Sequence, residues 1–250
     1  MMCKIDFLGF AFDDVDAAQT AELLNSRPAP APFVYVVTPN VDHVARLQKV
    51  ANAEQMLALH GAWLTVNDSN ILRLLAKMCG INLPTVPGSD LTAAVIRTMV
   101  KPGDTVTLIG GDAAMAGALA ATIPGATLLH HRPPMGVLRN EHALAAAVAF
   151  VVEHPARFVL LAIGAPQQEV IARRILLTGQ ASGIGLCIGA SVEFVTGRKA
   201  RAPTWVRRLN LEWLHRLLSE PRRLWRRYLI EGPRIFLIVW RWRKSRANVM

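Results

Sequence analysis

The amino-acid sequence predicts an α/β fold, with a mostly parallel sheet of Rossmann-like βα units and a basic helical appendage on its C-terminal side. Over residues 1–200, short apolar runs are each followed by a small or polar loop and then by an amphipathic or Ala-rich segment. Over residues 201–250, prolines interrupt helical segments rich in arginine and tryptophan. We therefore expect a core over residues 1–200 and an appendage over residues 201–250.

Five βα units follow one another in the core. Their strand runs are almost continuously apolar, which is typical of parallel strands buried on both faces. The strand and loop of each unit read FVYVV-TPN from residue 33, AWLTV-NDSN from residue 62, DTVTLI-GGD from residue 104, RFVLLAI-GAPQQE from residue 157 and GIGLCI-GAS from residue 183. We expect the adjacent His130 and His131 to lie in a loop.

The polar and glycine-rich loop residues should converge on one crevice. In open α/β sheets, ligands bind beyond the carboxyl ends of the strands. The residues that the five units place there are Thr38, Asn40, Asp68, Gly110, Gly111, Gln168 and Ser191.

Charge separates the core from the appendage. Residues 1–200 contain 15 Lys and Arg and 15 Asp and Glu, whereas residues 201–250 contain 13 and 3, so the whole net charge of +10 lies in the appendage. The three cysteines are far apart and show no zinc-binding spacing, which indicates unpaired thiols in a reducing compartment. No run approaches the roughly 20 apolar residues that cross a bilayer. We expect a cytoplasmic protein that can at most lie on a membrane.

The segment EPRRLWRRYL at residues 220–229 mixes four arginines with large apolar side chains. On a continuous helix, Leu224 and Tyr228 share one face, and arginines that include Arg216 and Arg223 occupy the neighbouring face. Nucleic acid, an anionic membrane surface and a phosphate-bearing substrate would each suit this pattern. Docking of an amphipathic helix with a solvated face is the structural alternative.

Three loop features allow a chemical and a structural interpretation. Asp68 is a candidate general base or the N-cap of the following helix. Gly110 and Gly111 form a phosphate cradle at a helix N-terminus or a tight turn. Gln168 reads sugar or uracil groups or belongs to an ordinary helix start after Pro166. The histidine and acidic residues show no metal-ligand spacing, so we predict no metal site and no cofactor.

Motifs along nearly the whole chain resemble the WecG/TagA/CpsF glycosyltransferases of bacterial surface-polysaccharide synthesis. The matching segments are VVTPNVDHV, the strand-end Asp68, PGSDL at 87–91, LIGGD at 108–112, GAPQQE at 164–169, and the run from GASVEF to RLWRRY at 189–228. The last segment is the most specific of them.

The resemblance implies an inverting, metal-independent enzyme without a cofactor. Such an enzyme transfers a sugar of the N-acetylmannosamine type, or glucose, from a UDP-sugar donor to an undecaprenyl-diphosphate-linked acceptor. Asp68 matches the proposed base, Thr38, Asn40 and Gln168 match motif residues of the donor site, and the appendage arginines are implied to close over the diphosphate. Those arginines are Arg216, Arg223 and Arg226. The oligomeric state stays open, a homo-oligomer included.

The chain departs from the family pattern at three places. Ser69 stands where glycine is usual after the base, Glu193 replaces an aspartate, and TVP at 85–87 replaces a segment that commonly carries an arginine before Gly88. These departures leave the identities of the donor and the acceptor open.

The appendage also suits the inner face of the cytoplasmic membrane, where a lipid-linked acceptor would lie. The residues that we expect at this interface are Trp240, Arg241, Trp242, Arg243, Lys244 and Arg246. Two other protein classes are weaker alternatives. A nucleic-acid-binding module would leave the loops of the neutral core without a role, so we expect no nucleic-acid partner. A nucleotide-dependent oxidoreductase would need a GxGxxG motif with a following ribose-binding acid, which the sequence lacks.

Overall fold

The computed structural model describes residues 3–47, 53–200, 202–203, 206 and 211–247. Its centre is a six-stranded, all-parallel sheet in the order β4-β3-β8-β7-β5-β6, and a separate antiparallel hairpin is formed by β1 and β2. The strands are β1 Lys4–Phe7, β2 Phe10–Asp13, β3 Val34–Val37, β4 Leu64–Thr65, β5 Thr105–Gly110, β6 Thr127–His131, β7 Phe158–Ala162 and β8 Ile184–Cys187.

Helices cover both faces of the sheet. The α-helices are α1 Ala17–Ser26, α2 Val41–Leu47, α3 Ala53–His60, α4 Asn70–Met78, α5 Gly88–Ala94, α6 Ala113–Thr122, α7 Glu141–Glu153, α8 Gln167–Thr178, α9 Ser191–Val195, α10 Glu212–Ser219, α11 Pro221–Trp225 and α12 Arg234–Ala247. A π-helical turn, Val95–Met99, continues α5, and a second one, Arg226–Glu231, follows α11. A 3-10 turn, Val137–Arg139, precedes α7.

The predicted fold class is confirmed. All five predicted βα units are present, and all their strands lie in the parallel sheet. The strand order differs from the 3-2-1-4-5-6 order of dinucleotide-binding folds. The prolines at 221 and 233 fall where expected, because Pro221 begins α11 and Pro233 directly precedes α12.

The loop predicted at His130 and His131 is wrong. Both residues belong to β6, which pairs in parallel with β5 and forms one edge of the sheet. The His130 ring nitrogen Nε2 lies 2.9 Å from the carbonyl oxygen of Gly110. The His131 ring stacks on Phe150 of α7, and burial lowers the pKa of His131. Histidine has little preference for strands, so local sequence does not reveal an edge strand that depends on pairing with β5.

Alternation along the strands divides the apolar core into two layers. On β7, Phe158 and Leu160 face the layer that contains α1, α5, α6 and α9, and Val159 and Leu161 face the opposite one. That second layer holds α4, α7, α8, the β1–β2 hairpin and part of α12. Because both faces are buried, the strand runs are apolar throughout, as the sequence indicated.

The C-terminal helix α12 packs against the N-terminal β1–β2 hairpin. Ile235 and Val239 are buried in the second core layer. The Trp242 ring meets the Phe7 ring edge-on at 5.3 Å between centroids, and the Arg246 guanidinium lies 2.8 Å from the Asp6 carboxylate.

These contacts correct the predicted interface set. Trp242 packs against Phe7 of the β1–β2 hairpin, since it lies on the same side of α12 as Ile235 and Val239, whereas Arg246 reaches Asp6 and stays exposed. Trp240, Arg241, Arg243 and Lys244 are exposed, as expected of an interfacial surface.

We expect Trp242→Ala to lower the free energy of unfolding by roughly 2–3 kcal/mol, because the change removes an aromatic contact and leaves a gap over Phe7. Trp240→Ala, two residues away on the exposed side, should change it by less than about 0.5 kcal/mol. Urea denaturation of both variants measures the difference. Equal losses would mean that α12 does not pack through Trp242.

Candidate active site

The candidate site lies at the carboxyl edge of the sheet, where strand ends from both halves of the chain are in register. Val37 of β3 is paired with Thr65 of β4 on one side and with Cys187 of β8 on the other. On the far side of β8, Cys187 is opposite Leu161 of β7. The loops after β3, β4, β7 and β8 therefore begin at one level and face one another.

Asp68 follows β4, and its carboxylate is anchored by two donors. Oδ1 accepts a hydrogen bond of 2.6 Å from the backbone N–H of Gly88, the first residue of α5. Oδ2 lies 3.5 Å from the Asn40 amide nitrogen Nδ2. These contacts fix the position of the carboxylate at the carboxyl edge of the sheet, where a general base would be needed.

Asp68 is not the N-cap of the following helix. Ser69 caps α4, since its hydroxyl accepts a 3.3 Å hydrogen bond from the N–H of Leu72. Ser69, the unusual residue after the candidate base, therefore has a structural role of its own. The Asp68 side chain is left to face α5 and Asn40.

Asn67 shapes the loop that presents Asp68, and it was not predicted as a site residue. Its side-chain oxygen accepts from the N–H of Ser69 at 2.9 Å, and its amide nitrogen donates to the carbonyl of Pro84 at 3.1 Å. The asparagine thus holds the segment before α5 against the loop after β4. An asparagine in a loop usually bonds to backbone groups a few residues away. The sequence therefore does not indicate that Asn67 contacts the more distant Pro84.

Gly88 allows α5 to approach the two polar loops. A Cβ atom at this position would lie 3.2 Å from the Thr38 hydroxyl and 3.6 Å from Asp68 Oδ1. Thr38 is itself buried, and its hydroxyl lies 3.3 Å from the carbonyl oxygen of Cys187. The absence of a side chain at Gly88 is therefore what lets its N–H reach the Asp68 carboxylate.

Asn40 is held in a defined orientation. Its side-chain oxygen accepts from the N–H of Asp42 at 3.0 Å, so its Nδ2 is the atom that points to Asp68. The His43 ring, one turn into α2, contacts Asn40 through Nδ1 and Glu169 of α8 through Nε2. Neither His43 nor Glu169 was predicted as a site residue, although His43 stands within VVTPNVDHV and Glu169 within GAPQQE.

Gln168 is buried, and both ends of its amide have partners in the protein. Its oxygen accepts from the N–H of Gly189 at 2.9 Å, and its nitrogen donates to Glu169 at 2.7 Å. Only 3% of its surface is exposed. A contact between Gln168 and a donor therefore stays a prediction. Ser191, also nearly buried, begins α9 just beyond β8.

Backbone conformation and close packing explain why glycine occupies positions 110 and 111. Both have positive φ angles, 99° and 71°, which glycine tolerates best. A Cβ atom on Gly110 would lie 2.3 Å from a methyl carbon of Ile163, and one on Gly111 would lie 2.6 Å from the sulfur of Met115. Their role in binding a diphosphate stays a prediction.

Asp112 already occupies the N-terminus of α6 beside the two glycines. Its carboxylate caps the N–H of Met115 at 2.7 Å and forms a two-point ion pair with Arg198. The hydrogen bond from Arg198, with help from the Met115 N–H, lowers the pKa of Asp112 to about 2. A diphosphate at this helix end would therefore meet a carboxylate that Arg198 neutralises.

The appendage is attached beside the site. Lys199 Nζ bridges Glu193 of α9 at 2.7 Å and Glu220, which directly precedes α11, at 3.1 Å. The π-helical turn that contains Arg226 packs against α2, the helix that carries His43, and Arg226 is exposed. The side chains of Arg216 and Arg223 lie outside the described residues.

Within the described ranges, no group of three or more His, Cys, Asp or Glu side chains is arranged to hold a metal ion. Over the same part of the chain, no helix combines the length and the apolar character that crossing a bilayer requires.

Comparison with protein families gives one match, and it covers residues 5–249, nearly the whole chain. The matched family is described as the glycosyl transferase WecG/TagA/CpsF family. The match runs through the strand-end loops, Asp68, the Gln168 loop and the appendage, so it agrees with the resemblance of the individual motifs. The chain therefore belongs to the WecG/TagA/CpsF family and is a glycosyltransferase of surface-polysaccharide synthesis.

Proposed function

We propose that this glycosyltransferase is inverting and metal-independent, and that it transfers a sugar from a UDP-sugar to an undecaprenyl-diphosphate-linked saccharide. The donor sugar is of the N-acetylmannosamine type or glucose. The observation that carries the proposal is the Asp68 carboxylate at the carboxyl edge of the sheet, held by an α5 backbone N–H and by Asn40.

In the proposed reaction, Asp68 takes the proton from the attacking hydroxyl of the acceptor. The hydroxyl oxygen forms a bond to the anomeric carbon on the side opposite the UDP group. The bond between that carbon and the β-phosphate oxygen breaks, and UDP leaves with the bonding electrons. One displacement of this kind inverts the configuration at the anomeric carbon.

The leaving UDP gains negative charge in the transition state, and cationic donors lower the energy of that charge. We assign this role to Arg216, Arg223 and Arg226 on the strength of the family motif. The position of the Arg226 segment beside α2 and the ion pairs of Lys199 with Glu193 and Glu220 support it, because they hold the appendage against α2 and α9, which follow strands of the same sheet edge.

We also propose that the enzyme works on the inner face of the cytoplasmic membrane. Outside the packed side of α12, Phe236, Leu237 and Trp240 are each about 60% exposed. The exposed cations Arg241, Arg243 and Lys244 lie on the same helix. An apolar strip with cations beside it suits an anionic bilayer surface, where each Lys or Arg contributes about 1 kcal/mol and Trp favours the headgroup level.

The base assignment predicts that Asp68→Asn lowers turnover by roughly 10²–10⁴-fold, the usual range for a general base. Binding of the UDP-sugar and the melting temperature should be nearly unchanged. Release of UDP with a short-chain lipid-diphosphate acceptor measures turnover, first across a panel of UDP-sugars. The matched control is Ser69→Ala, which should cost about 1 kcal/mol of stability through the lost cap and leave turnover within a few-fold. If Asp68→Asn kept more than half the turnover, the assignment would be wrong.

Metal independence predicts that turnover survives an excess of EDTA, since arginines rather than a divalent cation would stabilise the diphosphate. The same UDP-release assay, run with and without EDTA, tests this. Loss of turnover on chelation and its recovery with Mn²⁺ would contradict the proposal.

The membrane role predicts that the triple variant Phe236→Ser, Leu237→Ser and Trp240→Ser binds anionic vesicles at least about 10-fold more weakly, because it removes the apolar contact area. Turnover on the short-chain acceptor should stay within a few-fold. Co-sedimentation with phosphatidylglycerol vesicles measures binding. Removal of residues 235–250 is a poorer test, since it would also remove the buried Ile235 and the packed Trp242.

Two controls separate the membrane surface from the arginines. Substitution by serine of Met78, Met135 and Leu177, which are exposed and lie within residues 1–200, should leave vesicle binding unchanged. Arg223→Ala should lower turnover on either acceptor and leave vesicle binding nearly intact. If the α12 triple variant bound vesicles normally, the membrane surface would have to be sought elsewhere.

A further inference from the structure

A buried chain of polar contacts leads from α8 to the Asp68 carboxylate. It begins at Glu169, whose side chain is 3% exposed. Glu169 Oε1 accepts a 2.7 Å hydrogen bond from Gln168 and lies 3.4 Å from His43 Nε2. Its other oxygen, Oε2, has no hydrogen-bond partner among the described residues. The negative charge of Glu169 adds to the effect of burial in raising the pKa of the neighbouring Cys187 well above its ordinary value.

His43 contacts Asn40 through its other ring nitrogen. Its Nδ1 lies 3.3 Å from the Asn40 backbone nitrogen and 3.1 Å from the Asn40 side-chain oxygen. In the neutral ring, Nδ1 accepts from the Asn40 N–H while the Nε2 hydrogen is directed to Glu169. In the protonated ring, Nδ1 donates to the Asn40 oxygen instead. In both forms the imidazole restricts how Asn40 can turn, and the Glu169 carboxylate fixes the ring.

The last link is the 3.5 Å approach of Asn40 Nδ2 to Asp68 Oδ2. This distance and the 3.4 Å contact between His43 and Glu169 are long for hydrogen bonds. Contacts that serve catalysis are often long in the absence of substrate and shorten in the reacting complex. These two distances would therefore shorten if the site closed around a substrate.

We propose that Glu169 and His43 are positioning residues, which hold Asn40 so that its amide orients the Asp68 carboxylate toward the acceptor hydroxyl. This inference rests on the proposed role of Asp68 as the base. Gln168, which ties Glu169 to the N–H of Gly189, is the anchor of the chain. Burial of polar side chains costs free energy that apolar side chains in their place would not, so a buried Glu–His contact is poorly explained by stability alone. A role in orienting a functional group explains why it is polar.

The inference is tested with His43→Leu, which removes both ring nitrogens, and Glu169→Gln, which keeps the shape and the acceptor oxygen but removes the charge. Both should lower kcat by about 10-fold to 100-fold, the effect of a displaced catalytic group. KM for the UDP-sugar and the melting temperature should change little. His43→Asn, which keeps an oxygen able to accept from the Asn40 N–H, should recover part of kcat.

A double-mutant cycle separates positioning from a general structural effect. If His43 acts through Asp68, then His43→Leu should cause less than about a twofold further loss of turnover in the Asp68→Asn background, because residues that act as a unit are not additive. Tyr35→Phe is the matched control. Tyr35 is a buried polar side chain on β3 that bonds to the carbonyl of Ala58, outside the chain of contacts. Its loss should lower the melting temperature and leave kcat within about twofold.

Three outcomes are distinguishable. If Asp68→Asn is inactive but Glu169→Gln and His43→Asn both keep full kcat, the positioning role is wrong and the proposed function stands. If His43→Leu and Glu169→Gln lower only the melting temperature, the pair is structural. If Asp68→Asn keeps its turnover and the His43 variants lose theirs, then His43 is the better candidate for the base, and both the inference and the assignment of Asp68 are overturned. Should His43→Leu fail to fold, Glu169→Gln and His43→Asn decide the question.

Discussion

The pairing of β3 with β8 is the interaction on which the rest of the structure depends. It joins β3 and β4, from the first third of the chain, to the sheet formed by β5–β8. Close packing at this seam requires Gly185 in the middle of β8, because a Cβ atom there would lie 2.6 Å from the Phe33 ring and 3.1 Å from the Tyr35 Cβ. Without the seam, the two groups of strands would have no shared edge and no common carboxyl end.

The candidate site is built across this seam. Asp68 and Asn40 come from one side of it, and Glu169 and Gln168 come from the other. Contacts that cross it include Thr38 to the Cys187 carbonyl, His43 to Glu169, Arg46 to the Ala165 carbonyl, and the in-register strand ends themselves. Both core layers also extend across the seam, so a disturbance of it should affect the site and the core together.

Local patterns predict much of this protein and fail where distant segments meet. The five βα units and the strand-end position of Asp68 follow from apolar runs and loop composition, which are properties of a few neighbouring residues. The strand order, the edge strand β6 and the contact between His43 and Glu169 depend on partners 20 to 150 residues away, which no local pattern encodes. The exposed and packed tryptophans of α12 have similar neighbours in sequence, so only the contact with Phe7 distinguishes Trp242 from Trp240.

The packing of α12 on the β1–β2 hairpin has a consequence for synthesis of the chain. Asp6 and Arg246 are 240 residues apart, so the hairpin leaves the ribosome long before the helix that covers it exists. Phe7, which is fully buried in the finished fold, lacks its contact with Trp242 during that interval. Exposed apolar surface of this kind favours aggregation and slows folding, because distant contacts close late. Chaperones that hold nascent chains would be expected to matter more for this enzyme than for a domain that closes its core from the N-terminus onward.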